Sequence, residues 1–205
     1  MKNIIITIGR EYGSGGRYIG EMVSKKLNIP FYDKEILVKA NEKNGTDYSK
    51  LHQYDEKSHN KFLKDLNLLS TSISEIAYEE NTYQTIISNT IAELADTSSC
   101  VILGRNANNI LKSKNNVINI FIYSNNLDFK IKRKMNLENL SYEETLKKLK
   151  QIDKQRKKYY ETLNPKQVWG NRKDYDYLID SGVLGVDKTV DLIVSIYNNA
   201  LRNSN

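Results

Sequence analysis

The sequence predicts an α/β protein with a parallel five-stranded sheet covered by helices on both faces. Short apolar runs recur at 3–8, 31–32, 100–103, 117–123 and 175–179. Helical patterns separate them along the chain, and strands alternating with helices build parallel sheets. The first run passes straight into a turn carrying Gly9, Gly13, Gly15 and Gly16, then into a helical pattern. Strand, glycine-rich turn and helix is the order an anion-binding loop needs. Glycines let backbone N–H groups turn inward, and the helix aims its positive dipole end at the anion.

Each element follows from its residues. Asn3-Ile4-Ile5-Ile6-Thr7-Ile8 is nearly continuous in β-branched residues, as a strand covered on both faces reads. Ile19, Met22, Val23 and Leu27 then share one helical face. Asn28-Ile29-Pro30 ends that helix, because proline disfavours helix at the residue before it. Phe31-Tyr32 is a short strand, and Asp33 is placed to cap a helix over 34–43 with Ile36, Leu37 and Ala40 inward. Asn44-Gly45 stops it.

Residues 46–95 read as helical and polar. Leu51, Phe62, Leu66 and Leu69 make a thin stripe, and His52 and His59 fall among surface residues. A longer helix over 74–95 turns Ile76, Tyr83, Ile86, Ile87, Thr90 and Leu94 inward. The strand at 100–103 ends in Gly104-Arg105-Asn106, and a short helix runs through Ile110-Leu111. Beyond the strand at 117–123, residues 128–135 form a basic helix. Ser141 and Glu144 have the spacing of a capping box and open a helix to about 160, which Asn164-Pro165 ends. A last helix spans 187–201. Ligands of parallel sheets sit at the carboxyl ends of the strands. The first loop, Asp33 and Gly104-Arg105 therefore share one rim.

Composition narrows the function classes. The net charge of +6 suits a phosphate-bearing ligand or nucleic acid, but the lysines lie beside glutamates along helices rather than in one stripe. No nucleic-acid-binding motif is present. Cys100, the single cysteine, excludes an internal disulfide and reads as a small buried residue. No His/Cys cluster has zinc-ligand spacing. No apolar run reaches membrane-spanning length, and Met1-Lys2-Asn3 leads directly into the first strand without a signal peptide, so a cytoplasmic location is expected.

The first loop resembles the P-loop G-x-x-x-x-G-K-[ST] with substitutions. If Gly15 is the last loop glycine, the lysine position holds Gly16; if Gly16 is, it holds Arg17. The leading glycine is replaced by Arg10 or Glu11, and Tyr18 follows where a hydroxyl residue is usual. Arg105, one residue past a buried strand, can fork onto a phosphate with two N–H donors. Asp153, Arg156 and Tyr159 share one helix face. Spacing alone reads Asp153–Arg156 as an ion pair on a solvent-facing helix. The other reading is that they join Lys132, Arg133 and Lys134 in closing over a polyphosphate.

Taken together, the strings Gly9-Arg10-Glu11-Tyr12-Gly13-Ser14-Gly15-Gly16-Arg17, Phe31-Tyr32-Asp33-Lys34-Glu35, Ile102-Leu103-Gly104-Arg105, Asp153-x-x-Arg156-x-x-Tyr159-Tyr160 and Tyr175-Asp176-Tyr177-Leu178-Ile179-Asp180-Ser181 resemble the cytidylate-kinase-like family, a branch of the nucleoside monophosphate kinases. The resemblance runs nearly end to end. It implies a three-layer α/β/α P-loop kinase fold in one domain. The core would take residues 1–33, 96–123 and 166–205, a helical acceptor-binding insertion 34–95 and a lid 124–165.

The resemblance also implies phosphoryl transfer from ATP, with Mg²⁺, to CMP or another small acceptor. Gly9, Arg10, Gly13, Ser14, Gly15, Gly16, Arg17 and Tyr18 would hold the donor phosphates, with Ser14 as a candidate metal ligand. Asp33, Arg105, Asp153 and Arg156 would meet the acceptor. Arg17, Arg133, Asp153 and Arg156 would serve catalysis, Arg17 replacing the missing lysine and Arg10 standing as a second candidate. Where the family has an aspartate after Gly-Arg, this chain has Asn106. A non-catalytic nucleotide-binding protein with an altered loop is the alternative.

Overall fold

The computed structural model describes residues 3–33, 36, 38–39, 42 and 73–203, with side chains in the last stretch from residue 82 onward. The elements run β1 (Ile5–Arg10), α1 (Gly16–Leu27), β2 (Phe31–Tyr32), α2 (Ile73–Thr97), β3 (Cys100–Leu103), α3 (Ala107–Ile110), β4 (Val117–Tyr123), α4 (Leu127–Glu138), α5 (Tyr142–Leu163), β5 (Tyr177–Asp180), α6 (Ser181–Leu184) and α7 (Val186–Arg202), with a 3₁₀ turn at Arg172–Asp174. The sheet order is β2-β3-β1-β4-β5, and every neighbouring pair is parallel. This is the expected α/β architecture.

Alternation along β1 divides the core. Ile4, Ile6 and Ile8 face α1 and α7, where they meet Ile19, Val23, Val190 and Ile193. Ile5 faces the other way, toward Tyr83, Ile87, Ile91 and Ala95 of α2. The side chain of Thr7, also on that second face, donates to Asn119 Oδ1 at 2.7 Å, which satisfies its buried hydroxyl.

The helix ends follow their sequence signals. Asn28 takes a left-handed conformation after α1, and its N–H and that of Ile29 satisfy the carbonyls of Lys25 and Ser24. Ser141 and Glu144 form the full reciprocal box at the start of α5. Asn126 caps α4 by accepting from Phe129 N–H.

Some boundaries differ from the sequence expectation. β1 spans Ile5–Arg10 rather than 3–8, because β4 continues the pairing through Gly9↔Phe121 and Arg10↔Ile122. β5 starts at Tyr177, not 175; Tyr175 instead packs its ring on Phe121, with centroids 5.0 Å apart. Most of the expected helix over 34–43, and Leu51, His52, His59, Phe62, Leu66 and Leu69, lie outside the described residues, as does the side chain of Ile76. Among the described residues no helix is long and apolar enough to cross a membrane.

The α1/α7 layer is the load on which the sheet closes. Ile193 is fully buried there, whereas Leu192 beside it is 41% exposed. Ile193→Ala should lower stability by about 2–5 kcal/mol and Leu192→Ala by less than about 1 kcal/mol. Urea denaturation followed by circular dichroism checks the difference; equal losses would place the core elsewhere.

Candidate phosphate site

The site is built where β1 hands over to α1. Gly13 and Gly15 have φ of +84° and +85°, a region that L side chains rarely enter, so these two glycines set the path of the turn. Gly16 opens α1, and its N–H donates to Ser14 Oγ at 3.4 Å, so the turn supplies part of its own helix cap. A cavity of about 370 Å³ lies over this turn. Arg10, Arg17, Tyr18, Arg133 and Arg156 line it together with Gly13, Gly15 and Gly16.

The loop is fixed from outside. Tyr12 N–H donates to Asp153 Oδ1 at 2.7 Å, and Tyr12 O–H donates to Glu138 Oε2 at 2.6 Å. The Tyr12 ring packs with Ile131 and Leu149, which joins the loop to α4 and α5. Lys134 Nζ lies 4.2 Å from the ring centroid. Glu11 accepts from Lys130 Nζ at 2.9 Å and from Ser124 N–H at 3.1 Å. Ser181 Oγ donates to the carbonyl oxygens of Ser14, at 2.6 Å, and Tyr123, at 3.0 Å. Apart from the Ser181–Tyr123 bond these contacts cross more than a hundred residues of sequence, and spacing does not mark Tyr12, Glu138 or Ser181 as site residues. An aromatic residue inside a glycine turn was the available signal for Tyr12.

Two carboxylates of this frame have displaced acidities. Burial raises the Glu138 carboxyl, but bonds from Lys134, Lys148 and Tyr12 overcome it and hold its pKa down at about 2. Burial dominates at Asp153 and lifts it from 3.8 to about 6; the Tyr12 N–H bond and Arg156 pull the other way.

The expected site residues are brought together unequally. Arg10 is buried at the end of β1, and its carbonyl accepts from Arg156 Nη1 at 3.2 Å. Arg133 is half-buried, lies 5.6 Å from the Tyr18 ring centroid, and sits beside Gly15. Asp33 is paired with Arg17 Nε at 3.0 Å and Arg105 Nη2 at 3.6 Å, so the ends of β2 and β3 and the start of α1 do share one rim. Gly9 and Arg105 line a second, smaller cavity of about 20 Å³ behind the first, with Arg10 and Arg156 between the two.

Three placements depart from the sequence expectation. The Arg17 side chain is 60% exposed and its guanidinium is already paired with Asp33, a buried residue that lines the same cavity. The Ser14 hydroxyl is buried, donates to the Glu11 carbonyl at 2.8 Å, and does not line the cavity. Asp153 faces neither cavity; it holds the Tyr12 N–H from behind.

The raised acidity of Asp153 gives a signed test. The native state keeps this proton to a higher pH than the unfolded chain does. Its contribution to stability is therefore fully present below about 4 and is lost as pH rises through about 6. Asp153→Asn keeps an oxygen for the Tyr12 N–H and removes the titration. The variant should gain stability relative to the parent as pH rises from 4 to 6.5, read as the difference in melting temperature. A pH-independent difference would contradict the assigned burial.

Comparison with known proteins bears on the family and the fold. No curated protein matches the sequence. An uncharacterized protein from Eubacterium ventriosum has a crystal structure 29% identical in sequence, with a TM-score of 0.69 over 95% of this chain and 98% of that one. Shikimate kinase from Bacteroides thetaiotaomicron shares the fold at 15% identity and a TM-score of 0.51, over 95% and 98% of the two chains. TT1252 from Thermus thermophilus does so at 14% and 0.52, over the same shares. The cytidylate kinase-like family model matches residues 5–183, so the chain belongs to the cytidylate kinase-like family.

Proposed function

We propose that the protein is an ATP-dependent phosphotransferase that moves a phosphoryl group to a nucleoside monophosphate resembling CMP, or to another small acceptor. One observation carries the reading: four arginines, from β1, α1, α4 and α5, line a single cavity over a glycine turn at a helix start. Phosphoryl transfer asks a protein mainly for positioning and for fixed positive charge around the transferring group. The turn and the α1 N-terminus hold the donor phosphates, and Arg133 and Arg156 close on them. Arg105 and Asp33 serve the acceptor side, while Asp153 acts through Tyr12 as a positioning residue. Residues 34–95 form the acceptor-binding insertion and 124–165 the lid.

The loop suits the nucleotide phosphates better than it suits a metal anchored by the protein. The Ser14 hydroxyl is used inside the turn, Glu11 is paired with Lys130, Asp33 with Arg17 and Arg105, and Glu138 with Lys134. Among the described residues no group of three His, Cys, Asp or Glu could hold a cation. Mg²⁺ would come with the nucleotide, neutralising phosphate charge through phosphate oxygens and water.

ATP consumption measured against a panel of nucleoside monophosphates and small hydroxyl acceptors tests the proposal. Turnover should require an acceptor, and Arg133→Ala should lower kcat at least ~100-fold, about 3 kcal/mol, while the protein stays folded. ATP binding without turnover on any acceptor would instead favour the non-catalytic reading.

A further inference from the structure

We propose that Arg10 and Gly16 have exchanged the parts that a leading glycine and a lysine play in an ordinary P-loop, so that Arg10 is the cation facing the β- and γ-phosphates of a bound nucleoside triphosphate. The inference rests on the nucleotide-binding reading above and deepens it.

Spacing gives the first half of the argument. With Gly15 as the last loop glycine, the motif G-x-x-x-x-G-K puts its leading glycine at position 10 and its lysine at position 16. The chain has arginine at 10 and glycine at 16. Both changes are needed together if one space is shared by the two side chains.

The structure gives the second half. Gly16 is helical, and its φ is not in the left-handed region, so its backbone conformation does not require glycine. Space does. A Cβ on Gly16 would stand 2.6 Å from Arg10 Cβ and 3.1 Å from Arg10 Cγ. Those atoms lie next to the backbone of β1, whose pairing to Ile122 keeps them from moving aside. Arg10 thus occupies the room where a side chain at position 16 would begin.

Its location suits the role. Arg10 is 5% exposed and lines both cavities, at the boundary between them. Its backbone is held by the β4 ladder and by Arg156 Nη1 on its carbonyl. Arg17, the other basic residue of the turn, is 60% exposed and already paired with Asp33. A buried guanidinium on a strand end is a more rigid donor than a lysine on a helix, and its planar fork can meet two phosphate oxygens at once.

Four variants test the exchange: Arg10→Met, Arg10→Gly, Gly16→Lys, and the pair Arg10→Gly with Gly16→Lys. Melting temperature and ATP affinity without acceptor are read for each. Gly16→Lys alone should lower the melting temperature by about 3–10 °C, the range that overpacking costs in a chain of this size. The paired variant should regain most of that loss. Arg10→Met keeps the volume, so it should stay folded and bind ATP at least ~10-fold more weakly, as loss of a charged hydrogen-bond donor does. The paired variant should bind within about threefold of the parent, since its lysine stands in the usual place. Full stability of Gly16→Lys beside Arg10, or undiminished ATP affinity in Arg10→Met, would overturn the exchange. So would a paired variant that recovers stability but not affinity, with the proposed activity left standing. A parent that binds no nucleoside triphosphate would remove the proposed activity and the inference together.

Discussion

The bond from Tyr12 N–H to the Asp153 carboxylate, 2.7 Å long, is the contact on which the site depends. A glycine turn has no stiffness of its own, since each glycine widens the conformations open to the chain. Asp153 stands on α5, far along the sequence, and converts the middle of the turn into part of the helical layer. The side chain of Tyr12 completes the attachment by entering the small apolar core of Ile131 and Leu149. Glu11 and Ser14 are held in turn through Lys130 and Ser181. The ordering cost of the loop is thereby met during folding and is not charged to ligand binding.

The electrostatics follow from that frame. Buried arginines are costly unless partnered. Here Arg105 shares Asp33 with Arg17, and Arg156 lies near Asp153 at 3.7 Å and on the Arg10 carbonyl. These partners hold the guanidiniums in place and keep the carboxylates of the frame occupied. Positive charge is then available around the turn. An anion carrying several charges is the complement of this arrangement.

Much of the fold was legible in the sequence, because it rests on local signals. Alternating β-branched runs and helical stripes gave the parallel sheet, and Ser141–Glu144 gave the start of α5. The rim shared by Asp33, Gly104-Arg105 and the first loop followed from strand order. What was not legible depends on distant partners. The last two residues of β1 look like loop until Phe121 and Ile122 pair with them. Arg17 reads as the obvious loop cation, and only the fold shows that Asp33 pairs with it. The family resemblance makes Asp153 a ligand-facing acid, whereas in the structure it pairs with Arg156, as its spacing predicts, and holds the Tyr12 N–H from behind. The glycine at position 16 looks like flexibility in the sequence and is a steric requirement in the structure.

The central claim is that residues 9–17 form a rigid cradle for phosphate. Backbone amide shifts measured during titration with inorganic phosphate and then with ATP test it most directly. The account predicts saturable shifts at Gly13, Gly15 and Gly16 with either ligand, tighter with ATP, while amides of β5 and the end of α7 stay in place. Unmoved loop amides at ~10 mM ligand, a weaker regime than about 3 kcal/mol of binding, would contradict it and leave the glycines as a turn alone.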